Sequence, residues 1–187
     1  MFLIVGLGNP EYEGYKNTRH NAGFNAVNLL AEKYDIKLTN KAKFMGEIGE
    51  GTIEGKKVIL LKPGTYMNLS GQAIKVVMDF YKIDVDNLIV LYDDVDFKTE
   101  EIKIRKKGGP GTHNGLKSVV YEIDSTDFAR VRIGIGNDQN PIDMMGYVIG
   151  KLDKEEQEKL NKGIKKAAEA VEEILKTDID KAMNKLN

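Results

Sequence analysis

Two runs in the chain are apolar without alternation, Phe2-Leu3-Ile4-Val5-Gly6-Leu7 and Leu88-Ile89-Val90-Leu91-Tyr92. Strands covered on both faces read this way, because neither face tolerates a polar side chain. Both runs therefore predict central strands, the first ended by Gly8-Asn9-Pro10 and the second by Asp93-Asp94. Ile102 and Ile104 alternate with Lys103 and Arg105, and Arg130 to Gly136 alternates likewise, which predicts two strands with one wet face each. Gly46 to Ile53 and Lys57 to Lys62 flank Glu54-Gly55 as a hairpin, closed by Pro63-Gly64. Helical spacing appears in Phe24, Val27, Leu30, Ala31 and Tyr34, which predicts a helix over 22–34, and after Ser70 in Ile74, Val77, Met78 and Tyr81. Asp153 and Glu156 form a capping-box pattern ahead of a long charged helix whose apolar face carries Leu160, Ile164, Ala167, Val171, Ile174 and Leu175. The expected fold class is α/β: one domain over residues 1–187, three α/β/α layers, a twisted mixed and largely parallel central sheet, and C-terminal helices.

Composition narrows the function classes. A chain of 187 residues at 41% hydrophobic content supports one sizeable core. The absence of cysteine excludes a disulfide framework, a thiolate nucleophile and a cysteine metal site. No basic leader and no apolar run of membrane length is present, so a soluble cytoplasmic protein is expected. The formal net charge is -1, so a polyanionic partner would have to be held by a local patch. The two histidines lie far apart in sequence and no His-Glu-x-x-His pattern occurs, so neither a metal nor another cofactor is expected. Ser70, Ser118 and Ser125 sit in no Gly-x-Ser-x-Gly elbow, which leaves water as the nucleophile of any hydrolysis.

Each histidine is followed by asparagine in a polar, glycine-flanked stretch: Thr18-Arg19-His20-Asn21-Ala22-Gly23 and Gly111-Thr112-His113-Asn114-Gly115. An imidazole titrates near pH 6.5, so these are either structural histidines or the proton-transfer groups of an active site. Polar residues also gather where the strands are expected to end, at Asn9, Asn68 and Asp93, the place where open α/β sheets bind ligands. Taken alone, Asn68 reads as a helix N-cap and Asp93 as a turn cap. A carboxylate aimed at His20 would instead fix its tautomer and stabilise its charged form. Gly6 to Glu11 is no dinucleotide fingerprint, because Glu11 stands at the third glycine position and Pro10 blocks the turn. The Gly108 to Gly115 stretch lacks the ending of a P-loop, but its glycines permit close backbone approach by a ligand. Strand alternation puts Lys103, Arg105 and Lys107 on one face, near Lys106, Arg130 and Arg132. That row is either a charged, solvated edge strand or a phosphate-binding rim.

Over essentially its whole length the chain resembles bacterial-type peptidyl-tRNA hydrolase. Six motifs carry the resemblance in order: Gly6-Leu7-Gly8-Asn9-Pro10, Thr18-Arg19-His20-Asn21, Tyr66-Met67-Asn68-Leu69-Ser70-Gly71, Tyr92-Asp93-Asp94-Val95-Asp96, Gly111 to Leu116, and Arg130 to Gly136. The resemblance implies a cytoplasmic, monomeric and metal-independent enzyme without an obligate protein partner, which hydrolyses the ester joining a peptide to the 3′ end of tRNA. It implies His20 as general base and Asp93 as its orienting carboxylate. Asn9, Asn68 and Asn114 take the substrate-binding and polarising positions, with any one of the three able to supply the oxyanion donor. Met67 and Tyr66 fall beside the peptide or terminal adenosine, with Tyr15 as a stacking group. Arg105 and Arg132 match positions that clamp the tRNA 5′ phosphate, assisted by Lys103 and Lys107, while His113 is carried over as a structural residue. Two departures fall in one loop: Glu11 replaces the family's glycine after Asn-Pro, and one extra residue precedes His20. Glutamate takes positive φ only at a cost, so a rebuilt turn is expected there. Pro141 to Gly150, with Met144, Met145 and Gly146, is either a mobile lid or a loop packing apolar residues on the core.

Overall fold

The structure, a computed structural model, describes residues 1–137 and 141–187. Seven strands form one sheet: β1 (Phe2–Gly6), β2 (Thr39–Lys41), β3 (Gly46–Ile53), β4 (Lys56–Pro63), β5 (Leu88–Lys98), β6 (Ile102–Arg105) and β7 (Ala129–Gly136). Their spatial order is β2-β3-β4-β1-β5-β7-β6. The pairings β4/β1, β1/β5 and β5/β7 are parallel, and the pairings β2/β3, β3/β4 and β6/β7 are antiparallel. The mixed sheet is thus parallel at its centre, where the unalternating runs β1 and β5 lie side by side, and antiparallel toward both edges.

Pleating explains the two cores. Ile4 points into one apolar layer with Ala26, Val27 and Leu30 of α1 (Ala22–Lys33) and Ile164, Ala167 and Val171 of a 23-residue helix, Lys154–Lys176. Leu3 and Val5 point into the opposite layer with Ala73, Ile74 and Val77 of α2 (Ser70–Tyr81) and Leu116 and Val119 of α3 (Asn114–Ile123). Two short helices complete the chain order: α4 (Met144–Ile149) precedes the long helix α5, and α6 (Ile179–Leu186) follows it. The Asp153/Glu156 capping box starts α5 as its spacing predicts. No helix among the described residues is long and apolar enough to cross a membrane.

Two strand expectations are corrected. β5 does not stop at Asp93-Asp94 but continues to Lys98, because β7 runs alongside it and Arg132 pairs with Asp94 at 2.7 Å, giving the polar residues a partner within the sheet. β7 does not carry a wet face throughout either: Arg130 is 2% exposed, its guanidinium hydrogen-bonded to backbone carbonyls. Helix α3 directly after the glycine-rich stretch had no expectation attached to it. The chain passes from β1 to β4 on one side and then crosses to β5 on the other, so the crevice at the carboxyl ends of β1 and β5 is a switch point of the kind that collects ligands.

Candidate active site

Close packing delivers His20 to that crevice. A Cβ on Gly6 would lie 2.2 Å from the Gly23 carbonyl oxygen, and one on Gly23 would lie 2.4 Å from that of Leu91, so only glycines let the start of α1 press onto β1 and β5. The turn just before α1, Arg19–Asn21, is consequently buried. Asn21 locks it to the end of β1, accepting from the Asn9 N–H at 2.8 Å and donating to the Asn9 carbonyl at 3.0 Å. Arg19 fastens its other side, donating to the Tyr147 carbonyl of α4 and to Glu156 of α5. Asn21 and Arg19 stood in a motif the sequence singled out, but neither was given a role there.

Asp93 is 2% exposed and shares its carboxylate between both histidines. His20 Nδ1 lies 2.7 Å from Oδ2, and His113 Nε2 lies 2.8 Å from Oδ1. A carboxylate only accepts, so each of these ring nitrogens carries the proton. His113 is also the N-cap of α3, its Nδ1 accepting from the Leu116 N–H at 3.2 Å. Both of its nitrogens are therefore committed. His20, 8% exposed, keeps Nε2 as a lone-pair nitrogen without a hydrogen-bond partner among the described residues. Burial alone would push the His20 imidazolium down, but the Asp93 charge and hydrogen bond outweigh it and raise the pKa above its ordinary 6.5. Burial would raise Asp93, yet the charges of His20 and His113 and their hydrogen bonds hold it well below the usual carboxylate range. The donor atoms of His20, Asp93 and His113 lie within 4.8 Å of one another, so sequence separation did not keep the histidines from forming a set able to hold a metal. An ion there would have to displace both ring protons that now face Asp93.

His20, Asp93, His113 and Asn114 line a cavity of about 560 Å³ together with Arg105, Lys107, Arg130 and Arg132, and Met144 and Met145 of α4 form part of its wall. Among the described residues Arg105 donates to the Ile104 carbonyl alone, whereas Arg132 is held by Asp94 and, at 3.8 Å, Asp96. Lys103 points elsewhere, its ammonium on the Asn187 carbonyl at 3.0 Å, and Lys106 pairs with Asp180. Asn9, after β1, and Asn68, after β4, are not among the residues that line this cavity, nor are Tyr15, Tyr66 and Met67. Asn9 Oδ1 accepts from the Met67 N–H at 2.8 Å, which fixes the amide and leaves its Nδ2 without a protein partner among the described residues. Asn68 is exposed in the turn Met67–Leu69 and caps nothing, since the α2 N-cap is Leu69. Tyr66 is half exposed, and its hydroxyl donates to Glu13 at 2.6 Å, which pushes the phenol up to about 12. Tyr15 lies in the loop before His20, its carbonyl accepting from Thr18. That loop carries a turn over Glu11–Glu13, with the positive φ on Gly14 at 89° rather than on Glu11. Glu11 gains a use of its own, 3.4 Å from the buried Lys62.

Fold and site together define an open-sheet α/β enzyme with a carboxylate-bridged pair of imidazoles beside a cation-lined cavity. The chain belongs to the peptidyl-tRNA hydrolase family, whose model matches residues 3–187. It is 49% identical to the peptidyl-tRNA hydrolase of Clostridium botulinum (strain Eklund 17B / Type B), covering 100% of this chain and 96% of that one. It is also 49% identical to the peptidyl-tRNA hydrolase of Clostridium novyi, with 98% of that protein covered. Among solved structures, the peptidyl-tRNA hydrolase of Acinetobacter baumannii superposes with a TM-score of 0.92 at 42% identity, over 100% of this chain and 94% of that one.

Proposed function

We propose that this chain hydrolyses peptidyl-tRNA by a water that His20 activates, acting as a cytoplasmic monomer without a cofactor. The observation that carries the mechanism is the division of Asp93 between two imidazoles, only one of which retains a free nitrogen. Neutral His20 takes a proton from water at Nε2, and the hydroxide adds to the ester carbonyl carbon. Asp93 stabilises the imidazolium so formed. Collapse of the tetrahedral intermediate breaks the bond to the ribose 3′ oxygen, which recovers the proton from His20 and leaves free peptide and tRNA. Asn9 is the assigned oxyanion donor: its amide is held in one orientation by Met67, so Nδ2 needs no reorganisation when charge develops. Asn114 and Asn68, both exposed, contact substrate, as do Met67, Tyr66 and Tyr15. Arg105 and Lys107 bind the acceptor-stem phosphate, with Arg132 secondary because Asp94 already offsets its charge. Cleavage of a peptidyl-tRNA, inhibited competitively by uncharged tRNA, is the expected result. Turnover of small peptide esters with no inhibition by tRNA would show a small-molecule esterase instead.

A further inference from the structure

We propose that Arg130 is a positioning residue that gives the cationic wall of the cavity its shape by holding the backbone of the glycine loop 108–112. This rests on the reading of that wall as the phosphate-docking surface. The loop cannot hold itself. Gly108 and Gly111 sit at φ 156° and 58°, a Cβ on Gly109 or Gly111 would face open space within 4 Å, and besides Arg130 the loop is tied down by the Gly108 N–H, which donates to the Thr126 carbonyl at 3.3 Å. Glycine backbones lose the most entropy on being fixed, and that cost must be met from outside the loop.

Arg130 meets it from beneath. Its Nη1 donates to the Gly109 carbonyl at 2.7 Å, and its Nη2 to the carbonyls of Gly108 and Thr126. The guanidinium lies over the Phe128 ring, 4.3 Å from its centroid. Among the described residues no carboxylate pairs with Arg130, an expensive way to bury a charge unless the charge serves a purpose. Its purpose here is geometric as well as electrostatic: a planar fork presents its N–H groups to two successive carbonyls in a fixed geometry, which a shorter-reaching, freely rotating lysine ammonium does not. The loop runs from Lys107 to His113 and Asn114, so the same grip sets the spacing between the docking cations and the Asp93-bound imidazole.

The test separates fork from charge. Arg130→Lys keeps the charge and loses the fork. It should raise KM for peptidyl-tRNA about tenfold, the size expected for losing one charge-assisted hydrogen bond. Its kcat and the salt dependence of KM should stay as in the wild type, while hydrogen exchange across residues 108–112 accelerates. Should Arg130→Lys fail to fold, the same two readouts on Phe128→Leu decide, moving in the same direction by a smaller factor. Unchanged KM and exchange would overturn the proposal. So would an Arg130→Met variant that only flattens the salt dependence while Arg130→Lys behaves as wild type, since Arg130 would then act as a charge alone. A wild type inactive on peptidyl-tRNA would instead remove the underlying functional reading, and faster loop exchange would stand independently of it.

Discussion

The imidazole cluster and the cationic cluster that share the cavity are built on opposite terms. Around the imidazoles the buried polar atoms are committed: Asp93 is buried and doubly bonded and His113 uses both nitrogens, while His20 Nε2 and, outside this cavity, Asn9 Nδ2 have no hydrogen-bond partner among the described residues. Among the cations the charges exceed their acidic partners, with neither Arg105 nor Arg130 paired to a carboxylate among the described residues. Chemistry is located by what the hydrogen-bond network leaves over, whereas docking is located by surplus charge. Substitutions in the first cluster should therefore alter kcat, and those in the second KM and its salt dependence.

The largest separation is expected from Asp93→Asn, which should lower kcat by on the order of 10³–10⁴ while tRNA affinity stays within a few-fold, because the amide neither stabilises the imidazolium nor dictates one tautomer. Steady-state kinetics with a parallel tRNA-binding measurement checks it, and an equal loss of affinity would erase the distinction between the two clusters. Asn9→Ala should follow, at roughly 10²-fold in kcat, as for loss of one oxyanion donor. If Asn114→Ala costs more in kcat than Asn9→Ala, the donor is misassigned.

In the other cluster, Arg105→Ala should raise KM several-fold and reduce the slope of log affinity against log salt by about 1, with Arg132→Ala giving a smaller change because Asp94 already offsets its charge. Equal effects of the two, read from a salt titration, would mean that the Asp94 pair opens on binding. The pH profile divides the clusters again. His20 works only when neutral and its pKa is raised, so kcat/KM should fall as pH drops through a midpoint above 6.5. In Asp93→Asn the midpoint should move down, since burial then acts without the opposing carboxylate. The smallest effect expected is none: a strong chelator should leave cleavage of a minimal substrate, a peptide ester on adenosine, unchanged. Loss restored by zinc would assign His20, Asp93 and His113 as metal ligands.

The sequence made the elements legible wherever hydrophobic spacing decides them, as in β1, the buried part of β5, and helices α1, α2 and α5. It gathered Asn9, Asn68 and Asp93 where the strands were expected to end, for the physical reason that open sheets expose their carboxyl-end loops together, although β5 runs on past Asp93. What it could not show were contacts that depend on three-dimensional register. His113 reaches Asp93 only because α3 begins directly after the glycine loop, and helix caps of histidine carry no sequence signature. Alternation put Lys103 with Arg105 and left Arg130 on a wet face, but Asn187 takes the lysine and a backbone cage takes the arginine. Alternation reports the side of a strand, not what lies beyond it.

The most direct measurement sets His20→Ala beside His113→Ala, with single-turnover cleavage of peptidyl-tRNA and affinity for uncharged tRNA read for both. The account predicts that His20→Ala binds tRNA within a few-fold of the wild type and loses about 10²–10⁴ in rate, the range for removing a general base. His113→Ala should lose far less, because it removes a support of Asp93 and not the proton acceptor. A His113→Ala enzyme that is inactive beside a His20→Ala enzyme of near-normal rate would contradict the account, since the base would then be the imidazole whose nitrogens are both engaged.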